Sequence, residues 1–233
     1  MSDFSQNGII SNLHDFGTKN TNEIEIELKK FSKERKMELI LPSLYSELEG
    51  DALPKIVEEI SKTNYLNHII VGLDKAKKND AKKAWRFFKK LKTPFTILWN
   101  DGPKLKKLDD ELKKKDLAPN HYGKGRNVWY CLGMCIARDE ARSVALHDCD
   151  IKTYDRRMLA KLFYPVVNPL FNFEFCKGYY PRIANNKMNG RVARLLVGPL
   201  LTALEKTIGQ SDYLNFMKSF KYPLAGEFSF RRN

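Results

Sequence analysis

The chain has 233 residues, 42% of them hydrophobic and 12% aromatic, with a formal net charge of +13. That length can bury one substantial core, so a single α/β domain is the default. No apolar run approaches the roughly eighteen residues of a membrane span and the N-terminus lacks a basic-then-apolar signal pattern, which excludes a membrane partner and points to the cytoplasm. The four cysteines, Cys131, Cys135, Cys149 and Cys176, include no zinc-type pair and read as reduced, mostly buried thiols.

The positive charge is concentrated in one region. Residues 1–50 carry 6 basic and 9 acidic side chains, whereas residues 75–115 carry 15 basic and 5 acidic ones. Much of that excess lies on one amphipathic helix, with Ala81, Ala84, Trp85, Phe88 and Leu91 as its inner stripe and Lys82, Lys83, Arg86, Lys89 and Lys90 as its outer one. Lysines without interleaved arginines and aromatics make a solvated face and give no specific nucleic-acid partner.

In chain order, residues 1–36 read as a polar N-terminal extension whose alternating Glu23-Ile24-Glu25-Ile26-Glu27 run is part strand. Met37 to Leu41 is the first core strand, ended by Pro42, and a loop leads to a helix with Leu53, Ile56, Val57 and Ile60 on one face. Asn67 to Leu73 is the second strand; the lysine-faced helix and a third strand, Phe95 to Trp99, follow. This alternation predicts βαβ units and a mostly parallel sheet flanked by helices, with ligands gathered beyond the carboxyl ends of the strands.

Residues 104–117 form a charged helix or an exposed excursion. Tyr122-Gly123-Lys124-Gly125-Arg126-Asn127 precedes an apolar helix, Val128 to Ala141. A lysine between two glycines at a helix start suits a phosphate, although the Walker spacing is absent and a flexible turn with a solvated lysine fits equally. A fourth strand then stops on His147-Asp148-Cys149-Asp150. Residues two apart in a strand point the same way, so Asp148 and Asp150 can converge on a divalent cation shared with phosphates; a polar turn capping the next helix is the plainer alternative.

Tyr154 to Tyr164 is a helix stopped by Pro165, and Phe171 to Tyr180 is an aromatic strand. Gly190 to Ile208 is a long helix kinked at Pro199, with Arg191 in its first turn placed to hold an anion. Near the end, Glu227 is a lone acid in an apolar run, a position where acids are paired or functional.

Taken in this order, Leu41-Pro42-Ser43-Leu44, Gly123-Lys124-Gly125, Asp148-Cys149-Asp150, Gly190-Arg191-Val192 and Leu224-Ala225-Gly226-Glu227 resemble the glucosyl-3-phosphoglycerate synthases, retaining glycosyltransferases of family 81. The likeness runs from about Met37 to Phe228. It implies a nucleotide-sugar-binding α/β fold of the GT-A type over residues 37–233, lacking its C-terminal part. It also implies Mg²⁺ or Mn²⁺, a homodimer, UDP- or GDP-glucose as donor and 3-phosphoglycerate as acceptor. By the same resemblance Pro42, Ser43, Leu44, Tyr45 and Leu73 surround the base and ribose. Lys124, Asp148 and the Cys149 backbone meet the rest of the donor, and Asp150 binds the metal. Gly190, Arg191, Val192 and Ala193 take the acceptor phosphate. Leu224, Ala225, Gly226 and Glu227 line the glucose, with Glu227 and Asp150 closest to the chemistry. Ala193 stands where a hydroxyl residue is expected. All four histidines (His14, His68, His121, His147) precede Asp150, whereas the family brings a histidine to the metal from further along the chain. Alternatives are a related transferase using mannose or another small acidic acceptor, and a non-catalytic nucleotide-sugar-binding fragment.

Overall fold

A computed structural model describes residues 10–11, 20–179, 183–184, 187–188 and 192–232. The strands are β1 (Ile10–Ser11), β2 (Met37–Leu44), β3 (His68–Asp74), β4 (Phe95–Trp99), β5 (Ser143–Leu146), β6 (Phe175–Lys177), β7 (Ile183–Ala184), β8 (Lys187–Met188) and β9 (Phe228–Arg231). The helices are α1 (Thr21–Phe31), α2 (Ala52–Ser61), α3 (Lys78–Phe88), α4 (Pro103–Lys113), α5 (Lys124–Arg138), α6 (Arg156–Val167), α7 (Gly198–Ile208) and α8 (Asp212–Ser219). Seven strands form one sheet in the order β1-β6-β9-β5-β2-β3-β4. All of its pairings are parallel except those of β9, which runs antiparallel to β5 and β6. The expected α/β architecture with a mostly parallel sheet is therefore present.

Central parallel strands are covered on both faces, which is why β2 and β3 are nearly unbroken apolar runs. Leu39, Leu41, Ile69 and Val71 face one core with Leu53, Ile56, Val57 and Ile60 of α2 and Phe163 of α6. Ile40, Ile70, Val144 and Leu146 face the other with Cys131 and Cys135 of α5. None of the four cysteines is in a disulfide, and all four are buried.

Several local expectations are corrected. The Glu23–Glu27 run is helical: Asn20 caps α1 by accepting from the Glu23 N–H at 2.9 Å, and Ile24 and Leu28, four apart, reach the main core while Ile26 faces solvent. The expected extension thus supplies a helix that packs on α6, tied by Arg156 to Glu25 at 3.2 Å and by the Tyr164 hydroxyl to Glu27 at 2.5 Å. Pro42 does not end β2. Even-numbered residues of β2 face β5, whose pairing stops at Ile40, so the missing N–H of Pro42 removes no ladder bond and the strand runs on against β3 to Leu44.

Pro165 likewise lies inside the last turn of α6, where few hydrogen bonds remain to lose. Trp85 leaves the inner stripe of α3; it is 49% exposed, with the Lys89 ammonium 4.3 Å from its ring. The aromatic strand shrinks to three residues, Phe175–Lys177. The distortion expected at Pro199 is a π-helical turn at Ala193–Val197 leading into α7, which accommodates the proline in its first turn. Helix α5 begins at Lys124, four residues before the expected start.

Candidate active site at the carboxyl edge of the sheet

The site forms where β2, β5 and β9 meet. Ile40 pairs with Leu146, so β5 leaves the sheet while β2 continues to Leu44, and His147 to Asp150 run beside the second half of β2. There Cys149 is buried, Asp148 is partly buried and Asp150 is exposed. The strand ends before the aspartates, so a turn rather than strand alternation presents them. Ser43 is buried beside this turn, and Leu44 and Tyr45 are half-buried at its edge.

Lys124 reaches this turn from the first position of α5 and forms an ion pair with the Asp148 carboxylate. Its placement depends on Gly123, whose φ of 146° is one that side-chain-bearing residues rarely adopt. Gly125, by contrast, has open space around its α-carbon, so the second glycine serves no close approach.

Gly226 closes the other side. A β-carbon there would lie 2.2 Å from Asp148 Oδ2, so only glycine lets the segment before β9 rest on that carboxylate. Its neighbours Ala225 and Glu227 are buried, and Leu224 is 48% exposed. Glu227 is bound through its backbone oxygen to the Gly178 N–H at 2.8 Å. The structure brings Lys124 and Gly226 onto Asp148, with Asp150 exposed two residues along the same turn.

Two charged residues at the site were not singled out from sequence. The Glu47 carboxylate accepts from the Leu44 N–H at 2.9 Å in the 3₁₀ turn Tyr45–Glu49. Burial raises its pKa above the ordinary carboxylate value, the Leu44 N–H opposes this, and Asp150 and Asp148 add to the rise. Lys177 ends β6 with its ammonium 5.4 Å from the Phe228 ring; burial lowers its pKa, Glu227 pulls it back up, Lys124 pushes it down and Asp148 raises it. Glu47 gave little signal: its carboxylate reaches back to the N–H three residues earlier, but Leu44 offers no side-chain acceptor to complete a capping box. Lys177 gave none, being a lone lysine in an aromatic run.

Leu73 is fully buried, packed with Ala76, Ala84 and Tyr45, so it lies beneath the surface and β3 ends on Asp74. Val192 is 54% exposed and Ala193 opens the π-helical turn; Gly190 and Arg191 lie outside the described residues. His147 is wholly buried edge-on to Tyr154 at 5.1 Å, and burial lowers its pKa to about 3, so it is a neutral core residue. Among the described residues, no three of His, Cys, Asp and Glu gather closely enough to hold a metal by themselves.

No family model matches the chain. It is 44% identical over 232 residues to the glucosyl-3-phosphoglycerate synthase of Persephonella marina, covering 100% of this chain and 57% of that protein. It is 37% identical over 223 residues to the enzyme of the same name from Methanococcoides burtonii, covering 94% and 54%. The chain thus spans about half the length of the curated relatives it matches.

Among solved structures, it is similar to glucosyl-3-phosphoglycerate synthase from Mycobacterium tuberculosis in complex with Mn²⁺, UDP and glucosyl-3-phosphoglycerate. That similarity has a TM-score of 0.55 at 19% identity, over 96% of this chain and 64% of that one. Mannosyl-3-phosphoglycerate synthase from Rubrobacter xylanophilus gives a TM-score of 0.58 at 20% identity, over 88% and 56%. At these identities the structural likeness establishes the fold. In sequence, the chain is similar to these two curated glucosyl-3-phosphoglycerate synthases over 100% and 94% of its own length.

Proposed function

We propose that this chain forms the donor-binding part of a metal-dependent retaining glycosyltransferase that moves glucose from a nucleoside-diphosphate glucose to 3-phosphoglycerate. The observation that carries the reading is the Lys124–Asp148 pair seated under Gly226, beside the exposed Asp150, at the carboxyl edge of the sheet. Ligands of open α/β sheets collect at that edge. The names of the relatives supply the reaction, and the M. tuberculosis structures with Mn²⁺, UDP-glucose, UDP and the glucosylated product supply the ligand classes.

In this reading Pro42 to Tyr45 hold the base and ribose, with Leu73 beneath them. Lys124 and the Cys149 backbone hold the phosphates, and Leu224 to Glu227 line the sugar. Gly190 to Ala193 receive the acceptor. Asp150 fits a Mg²⁺ or Mn²⁺ ion: it is a hard oxygen donor on an exposed turn, leaving the other positions to phosphate oxygens and water. When bound, the metal supplies Lewis-acid neutralisation of the diphosphate leaving group.

The reading also includes a homodimer, for which α7 offers Leu200, Leu204 and Ile208, exposed and four apart. No helix among the described residues is long and apolar enough to cross a membrane, and thiols outside any disulfide suit the cytoplasm. A mannosyl donor is the second reading, favoured by the similar fold of the R. xylanophilus enzyme.

The test is calorimetric titration with UDP-glucose, GDP-glucose and GDP-mannose, with and without Mn²⁺, on the parent and Asp150→Ala. One donor should bind the parent in a metal-dependent manner. Asp150→Ala should lose that dependence while keeping its far-ultraviolet spectrum and melting temperature. Unchanged metal dependence would remove Asp150 from the site, and failure of every donor to bind the parent would remove the function.

A further inference from the structure

Lys177 is a partly buried ammonium with an unusual set of neighbours. It ends the three-residue strand β6, opposite Phe228 in the antiparallel pairing with β9, and its ammonium is 5.4 Å from the Phe228 ring. Gly178 then ties the β6 end to Glu227 by the 2.8 Å backbone bond, and a β-carbon on Gly178 would come within 3.0 Å of that of Glu227. Gly226, next to Glu227, rests in turn on the Asp148 carboxylate that pairs with Lys124, so the end of β6 lies on the same edge as that pair.

Among the described residues, Lys177 forms no ion pair with Asp148, and its ammonium faces the Phe228 ring. Taking an ammonium partly out of water is costly, and burial lowers its pKa accordingly. Asp148 is already paired with Lys124, which leaves the Lys177 charge for an incoming anion. Two ammonium groups on one edge suit an anion with two charged groups, such as a diphosphate.

We propose that Lys177 is a second phosphate-binding cation of the site, one that grips the diphosphate most strongly after the sugar has left; this rests on the function proposed above. In that transfer the bond from the anomeric carbon to the phosphate oxygen breaks and its electron pair stays on the diphosphate. The acceptor hydroxyl oxygen forms the new bond to carbon and its proton passes to solvent. The diphosphate thereby gains one negative charge, next to the sugar position that Glu227 marks. A cation placed there stabilises the departing group more than the intact donor, which is the requirement for accelerating the step.

The experiment is calorimetric titration of the parent, Lys177→Met and Lys177→Arg with UDP and with UDP-glucose at saturating Mg²⁺. Lys177→Met should weaken UDP binding by about tenfold or more and UDP-glucose binding by about threefold, and Lys177→Arg should retain most of both affinities. Thermal melts confirm that each variant is folded, with Lys177→Gln standing in if the methionine variant is not. Equal losses for UDP and UDP-glucose, or no loss, would overturn the proposal while leaving the donor site intact. A parent that binds neither ligand would instead overturn the proposed function, and this inference with it.

Discussion

His147 sits between the last residue of β5 and the first site aspartate with no exposed surface, and neither ring nitrogen has a hydrogen-bond partner among the described residues. Its pKa near 3 in the folded chain, set by burial, compares with about 6.5 for an exposed histidine. Below pH 6.5 the unfolded chain therefore takes up a proton that the folded chain refuses. Stability contributed by the neutral ring is complete above that pH and is lost as pH falls toward 3, by up to about 1.4 kcal/mol per pH unit. Replacing His147 by Leu should shrink the stability difference between pH 7 and pH 5 by up to roughly 2 kcal/mol. Urea unfolding at both pH values, without metal or nucleotide, measures this; the same pH loss in parent and variant would show that the ring is hydrated or paired. At this scale the aspartates and Lys124 were legible because their spacing is chemical in itself. Glu47 and Lys177 were not, because what makes them unusual is burial beside other charges, and burial is created by the fold.

Elements were legible where one periodicity dominated. The continuous apolar runs of β2 and β3 and the one-sided faces of α2 and α3 gave themselves away, whereas Glu23–Glu27 satisfied an alternating pattern and an i, i+4 pattern together, and tertiary burial of Ile24 and Leu28 decided between them. Pro42 and Pro165 misled because a proline breaks a strand or helix only where its N–H is needed. The seating of α5 on the sheet was hidden as well, because it depends on Gly72. A β-carbon at Gly72 would lie 1.8 Å from Asn127 Oδ1 and 2.5 Å from Cys131 Sγ, and the Asn127 amide donates to the Gly72 oxygen at 2.8 Å. Gly72→Ala should therefore push the first turn of α5 off the sheet, costing about 1–3 kcal/mol of stability and displacing Lys124 enough to weaken donor binding. Gly133→Ala on the same helix, with open space around it, is the control and should be neutral or stabilising by about 0.5–1 kcal/mol. Melting temperatures and donor titrations of the two variants check the pair. A Gly72→Ala protein as stable as the parent would show that α5 is not held by this contact.

For the molecule as a whole, the groups that the proposed function assigns to the donor are distributed over the β2, β3, α5, β5 and β9 segments of one sheet, all among the described residues, whereas the acceptor-side Gly190 and Arg191 lie outside them. The curated relatives are nearly twice as long as this chain, which covers 57% and 54% of them. In the sequence reading, the resemblance implies that a histidine ligand of the metal comes from a part of the relatives that this chain does not match. Binding and transfer should then separate. In the proposed function the donor is held by groups within this chain, so its affinity should change little when the chain is extended to the length of the relatives. The transfer step needs the metal sphere and the acceptor fixed together, and preorganisation of that kind governs rate more than ground-state binding. The chain as given should transfer glucose to 3-phosphoglycerate far more slowly than the extended version, at similar donor affinity. Single-turnover transfer and donor titration on both proteins make the comparison, and equal transfer rates would mean that Lys124, Asp148, Asp150 and Glu227 suffice for catalysis.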